Sequence, residues 1–193
     1  MRRLLGRLVL IAVVVFGVWY VVGHYVGTTR FGCSASGAVA HADTNGCPAS
    51  IQQAAADPQW AAARLATIPR TGTATTGLYY DPDGHETRFS SGEDTGADRV
   101  NQVLHQVGVR FPGGGAVHPA SSHVEAKTAA RMRDENVNYG VLVINNPGGV
   151  CTGNYGCQQV LDTILPAGAT LVAWSPPTIR DGKPDEFTGR PGQ

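Results

Sequence analysis

Residues 8–22, LVLIAVVVFGVWYVV, are apolar on every side, and the run extends more weakly to Val26. About nineteen residues at about 1.5 Å rise nearly span a bilayer, and Trp19, Tyr20 and Tyr25 suit its interfaces. Arg2, Arg3 and Arg7 precede the run, which predicts an uncleaved transmembrane helix over residues 1–26 with the rest of the chain outside the cytoplasm. A cleaved signal, giving a secreted product, is the alternative. Ala38-Val39-Ala40 has the small-x-small form, although it lies well beyond the apolar run. Residues 27–50 are rich in Gly, Ser, Ala and Thr with no period, which predicts a linker. The linker reading continues to residue 70 around a short Ala-rich helix, residues 50–67, broken or restarted at Asp57-Pro58. Trp60, Leu65 and Ile68 are placed to dock on the domain that begins at residue 71.

The pattern changes at residue 71. Residues 76–80 and 85–90 are β-prone runs around Asp81-Pro82-Asp83-Gly84, which predicts a hairpin. Val100, Val103, Leu104 and Val107 recur at helical spacing up to Gly108, and residues 111–115, FPGGG, predict a flexible loop. Ser121 or Ser122 can cap a helix that reaches about Asp134. Residues 139–145, YGVLVIN, are short, apolar and β-branched, the signature of a buried central strand. Cys157, Val160, Leu161 and Ile164 share one helical face, and residues 170–174 form a second buried strand. From Ser175 onward the chain reads as a polar loop, with a last short strand at residues 186–188. This order predicts an α/β domain over residues 71–193, a mixed β-sheet with helices packed on its faces.

Charge changes the picture little. The formal net charge is zero, and residues 71–193 carry nine Lys and Arg against thirteen Asp and Glu. A mildly acidic domain argues against strong nonspecific nucleic-acid binding, which rests on basic contacts to phosphate. Lys127, Arg131 and Arg180 are the cations that could line a site locally.

Cysteine and histidine placement changes it more. In an exported chain Cys33 and Cys47 are candidates for a disulfide, with two free thiols as the alternative. His123-Val124-Glu125 sits at the start of one predicted helix; Cys157 opens another, and Cys151 lies in the loop before it. One imidazole, two thiols and a spare carboxylate are what a catalytic zinc site uses, three ligands leaving a fourth position for water. Residues two apart on a regular helix point about 200° apart, an objection that weakens in a first turn, where side chains lean toward the amino end. Taken singly, His123 reads as a surface histidine, Glu125 as a partner of the helix dipole, and Cys151 with Cys157 as a disulfide. His105 and His118 fit neither motif, and Tyr155 reads as an exposed loop tyrosine that could stack on a base.

His-x-Glu followed by Pro147 and two cysteines resembles the signature of zinc-dependent base deaminases. More closely, HVEAKTAARMRDENVNYGVLVINNPGGVC and LDTILPAGATLVAWSPP resemble the bacterial SCP-type deaminase toxins, which have a cytidine deaminase-like fold and include double-stranded-DNA cytosine deaminases. Two departures stand out: Gly148, Gly149 and Val150 separate the proline from the first cysteine, and the cysteines are spaced C-x5-C. The resemblance implies zinc held by His123, Cys151 and Cys157, Glu125 as catalytic proton carrier, and Asn146 as a substrate-binding residue, with a turn role as the alternative for Asn146. It implies hydrolytic conversion of cytosine to uracil in DNA, an interbacterial toxin, and a cognate immunity protein as partner. The alternatives are a deaminase of free nucleosides or nucleotides and a non-catalytic zinc- or disulfide-stabilised exported module.

Overall fold

The computed structural model describes residues 30–33, 47–69 and 74–191. In chain order its elements are α1 (Ile51–Ala56), α2 (Pro58–Ala66), β1 (Thr76–Tyr80), β2 (Glu86–Ser90), α3 (Thr95–Gln106), α4 (Val124–Asp134), β3 (Tyr139–Ile144), α5 (Cys157–Ile164), β4 (Thr170–Trp174), α6 (Pro176–Asp181) and β5 (Asp185–Thr188). Single 3-10 turns occupy Pro112–Gly114 and Pro119–Ser122. The transmembrane helix expected over residues 1–26 lies outside the described residues. Among the described residues no helix is long and apolar enough to cross a membrane.

The five strands form one mixed sheet in the order β2-β1-β3-β4-β5. Its centre is parallel, β3 against β4, and the other three pairings are antiparallel. The apolar runs of β3 and β4 are buried on both faces because helices cover both. Tyr79, Leu142, Ile144, Leu171 and Ala173 face α3, α4 and α5. The alternate residues Leu78, Tyr80, Val141, Val143, Val172 and Trp174 face the other way, onto α1 and α2.

That second layer comes from the segment expected to be a linker helix. Trp60 and Ile68 are buried and Leu65 packs at their edge. The Trp60 indole donates to the Phe31 carbonyl at 3.1 Å, and the Trp174 indole donates to the Ala55 carbonyl at 3.1 Å. Trp60 meets Tyr80 edge-to-face with centroids 5.1 Å apart, a favoured arrangement for aromatic pairs. Phe31 is buried beside the β1–β2 turn, where its N–H donates to the Gly84 carbonyl at 2.7 Å. Cys33 and Cys47 are joined in a disulfide.

One expectation is corrected. The stretch after Ser175 is not all loop: it turns directly into α6, held by a reciprocal Ser175–Thr178 capping box, with proline at the first positions and Gly182 in the left-handed region at the end. This helix is short and half-exposed, so it carries no apolar period that could reveal it.

Gly77 on β1 lets α4 come close to the sheet. A Cβ there would overlap Val124 Cγ1 and lie 2.9 Å from Leu142 Cδ1. Both neighbours are fully buried, so relief would have to come from a shift at the start of α4. Gly77→Ala is expected to cost about 1–3 kcal/mol, read as a lower denaturant midpoint with an unchanged slope.

Candidate active site

The site lies where the carboxyl end of β3 meets the amino ends of α4 and α5. His123 is the residue just before α4 and has extended backbone (φ −84°, ψ 144°), while Glu125 lies in the first turn. The 200° objection therefore does not apply, because His123 is outside the helical phase. A 3-10 turn delivers it: the His118 ring Nδ1 accepts from the Ala120 N–H at 3.2 Å, and the His123 N–H donates to the Ala120 carbonyl at 3.0 Å. Cys157 is the first residue of α5, whose cap, Gly156, offers no side chain. A Cβ on Gly156 would lie 2.7 Å from the carbonyl oxygens of both Cys151 and Gly153, so the loop after Cys151 can fold back tightly only with glycine there.

These elements bring His123, Glu125 and Cys157 together, with one donor atom from each lying within 4.8 Å of the others. Cys157 Sγ is 3.3 Å from His123 Nδ1, and its thiol points at Glu125 Oε2, 3.8 Å away. Two ligands on one tetrahedral zinc, at about 2.3 Å for sulfur and about 2.1 Å for nitrogen, would be about 3.6 Å apart, so the His123–Cys157 separation matches a shared ion. Glu125 is 2% exposed and Cys157 is fully buried. Burial pushes the Glu125 carboxyl above its ordinary value, outweighing its own N–H, His123 and the Cys157 thiol, which pull it down. Burial, then Glu125 and Cys151, push the Cys157 thiol well up. Two acids this deeply buried fit a site that receives a cation, because a coordinated thiol gives up its proton and the cation offsets the buried charge.

Cys151 lies beside this set without entering it. It is half-buried, packs against the main core, and has a free thiol, as does Cys157. Its carbonyl accepts from the Gln158 N–H at 3.2 Å, anchoring the loop to α5. Asn146 sits at the cleft with its amide committed to the turn after it. Its Nδ2 donates to the Gly149 carbonyl at 2.6 Å, and its Oδ1 accepts from the Gly148 N–H at 3.2 Å. Neighbouring Asn145 joins strand ends, accepting from the Thr76 N–H at 2.8 Å.

The cleft has a volume of about 420 Å³ and is lined by Ala74, Thr75, Ser91, Gly92, Ser122, His123, Val124, Glu125 and Asn146. None of these is a lysine or an arginine. Lys127 was a candidate for the wall, but its side chain is buried beneath it. Arg131 pairs with Glu135 at 2.7 Å, and Arg180 pairs with Asp181 at 3.4 Å, both at the surface. His118, which fitted no motif, is 1% exposed and close enough to His123 for their charges to interact; burial and then His123 lower its pKa. Tyr155 is exposed, has a positive φ of 63°, and lies edge-on to the His118 ring at 6.1 Å. Thr75, Ser91 and Ser122 carry no sequence signal that would have marked them as cleft residues.

A model of the SCP1.201-like deaminase family matches residues 47–184. The chain belongs to this family. The matched span includes α1 and α2, so the second layer over the sheet is part of the family domain. No curated protein shows significant similarity to the chain. Membership makes it a deaminase, with His123, Glu125 and Cys157 able to hold a metal ion.

Proposed function

We propose that this deaminase is zinc-dependent and converts cytosine to uracil in DNA. The observation that carries the reading is the convergence of His123, Glu125 and Cys157 in a deaminase-family domain, the first two of them lining the cleft. His123 and Cys157 would hold the ion, with Cys151 as the third ligand the family resemblance implies. Bound there, zinc would lower the pKa of a water to about 7. Glu125 takes a proton from the attacking water and delivers protons to the pyrimidine N3 and to the amine leaving C4, so ammonia departs and uracil remains. A carboxyl whose proton affinity burial has raised suits that exchange. Asn146, at the cleft wall, would lie beside the base or its sugar.

The DNA substrate, the toxin role, the immunity partner and display beyond the membrane rest on the resemblance and on the apolar run of residues 8–22. A second reading has its own support. Among the described residues the cleft lining holds no lysine or arginine to pair with a phosphate, while Thr75, Ser91, Ser122 and Asn146 offer a nucleoside polar contacts, which favours free cytidine. Uracil or ammonia formation on single-stranded DNA, duplex DNA and free cytidine, with equal cytosine concentrations, separates the two. Turnover of either DNA at least about tenfold faster than cytidine is the expected result. Turnover of cytidine alone would replace it with the nucleoside reading.

A further inference from the structure

Lys127 lies one turn beyond His123 on α4, and its side chain is 1% exposed. A lysine ammonium has three donors and no acceptor, and burial requires that each be used. Here all three are used on one short segment. Nζ donates to the Ser90 carbonyl at 2.9 Å, the Gly92 carbonyl at 2.7 Å and Asp94 Oδ2 at 2.8 Å. The other oxygen of Asp94 accepts from the Ala97 N–H at 2.9 Å and caps α3, so the same carboxylate ties α3 to α4. The Lys127 ammonium beside it holds the Asp94 carboxyl below the ordinary carboxylate range.

The segment so held is the cleft wall. Ser91 and Gly92 line the cleft together with His123, Glu125 and Asn146. Their own amides complete the frame: the Ser91 N–H donates to the Thr75 carbonyl at 2.8 Å, and the Gly92 N–H donates to the Ser122 carbonyl at 2.9 Å. The Thr75 N–H returns a bond to Ser91 Oγ at 2.9 Å. Gly92 has φ 127°, a conformation open to glycine, so the wall turns sharply at that residue. Gly96 leaves room for the lysine stem, since a Cβ there would lie 3.2 Å from Lys127 Cδ and 3.1 Å from Asp94 Oδ1. One buried cation therefore fixes the wall's distance from the helix that starts at the metal-binding residues.

We propose that Lys127 is a positioning residue that sets the Ser91–Gly92 wall of the substrate cleft. It touches neither substrate nor metal, and its effect is on how well substrate is held against Glu125. The kinetic part of this proposal rests on the cytosine deaminase reading; the structural part does not.

The test compares the zinc-loaded protein with Lys127→Met and Asp94→Asn, using a cytosine-containing single-stranded oligonucleotide as probe. Three quantities are read: zinc per chain, amide hydrogen exchange at Ser91 and Gly92, and KM separately from kcat. The expected result is unchanged zinc, exchange at those two amides at least about tenfold faster, KM at least about tenfold higher, and kcat within about threefold. Lys127→Arg is expected to recover part of the KM, since it keeps the charge. Unchanged exchange at Ser91 and Gly92 would overturn the proposal, as would loss of zinc or a fall in kcat at constant KM, either of which would place Lys127 in support of the metal helix. If Lys127→Met does not fold, Asp94→Asn carries the test alone, because Asp94 is half-exposed and the amide oxygen can still cap Ala97. A wild-type protein inactive on cytosine substrates would remove the substrate reading, and the exchange measurement would still decide whether Lys127 holds the wall.

Discussion

Glu125→Gln is expected to give a folded protein that keeps its metal and deaminates about a thousandfold more slowly than wild type. Glutamine matches the shape of glutamate but cannot take a proton from water or return one to a leaving amine. Glu125 is 2% exposed, so no solvent group can substitute directly. Folding should survive for a reason the site itself supplies. Burial already raises the carboxyl's proton affinity, so ionising Glu125 in the metal-free protein opposes folding. A carboxyl with a raised folded pKa favours the folded state below its unfolded pKa and loses that contribution as pH rises through the raised value. Metal-free Glu125→Gln should therefore be at least as stable as metal-free wild type at pH 7, and the two should converge as pH falls below the ordinary carboxylate range. Product formation, zinc per chain and thermal midpoints at two pH values read these effects together. Activity within about tenfold of wild type would remove Glu125 from the proton path.

The sequence made the centre of this site legible and its walls obscure. His-x-Glu and the cysteines are residue types with few other reasons to be grouped, and the apolar runs of β3 and β4 announce a sheet buried on both sides. His123 and Glu125 could be judged compatible only as a first-turn exception. The structure supplies the reason, an extended His123 delivered by a 3-10 turn. Three features were out of reach for physical reasons. Lys127 comes two residues after Glu125 and reads as a cation that could line the site, because nothing local says that carbonyls from residues 90 and 92 will surround it beneath the wall. α1 and α2 read as a linker because alanine-rich segments show little amphipathic contrast, although Trp60 and Ile68 identified the docking side. α6 is too short and too exposed to show a period. Each of these is decided by contacts distant in sequence, which a reading of local pattern does not contain.

Removal of Cys157, the proposed metal ligand, is expected to have the widest effect. Cys157→Ser should lose zinc, lose activity by at least about a thousandfold, and melt on the order of 10 °C lower than the zinc-loaded wild type. The thermal shift is a matter of linkage: an ion present at about a thousand times its Kd stabilises the folded state by about 4 kcal/mol, and a domain of this size shifts by roughly 2–4 °C per kcal/mol. Cys157 opens α5, and its sulfur is the atom shared by the His123 and Glu125 contacts, so no other thiol can replace it without moving the helix. Cys151→Ser provides the contrast. Its thiol is adjacent to the cluster and half-buried, in a loop anchored through the Cys151 carbonyl and shaped by Gly156, so the fold should persist. If Cys151 is the third ligand, zinc affinity measured against a competing chelator falls at least about tenfold, while the metal-free melting temperature stays near that of metal-free wild type. Stripping zinc from wild type with the same chelator should lower its melting temperature as far as Cys157→Ser does, and added zinc should restore only the wild type. Full zinc occupancy in Cys157→Ser would end the metal-site reading, and unchanged affinity in Cys151→Ser would leave zinc held by His123 and Cys157 with a different third ligand.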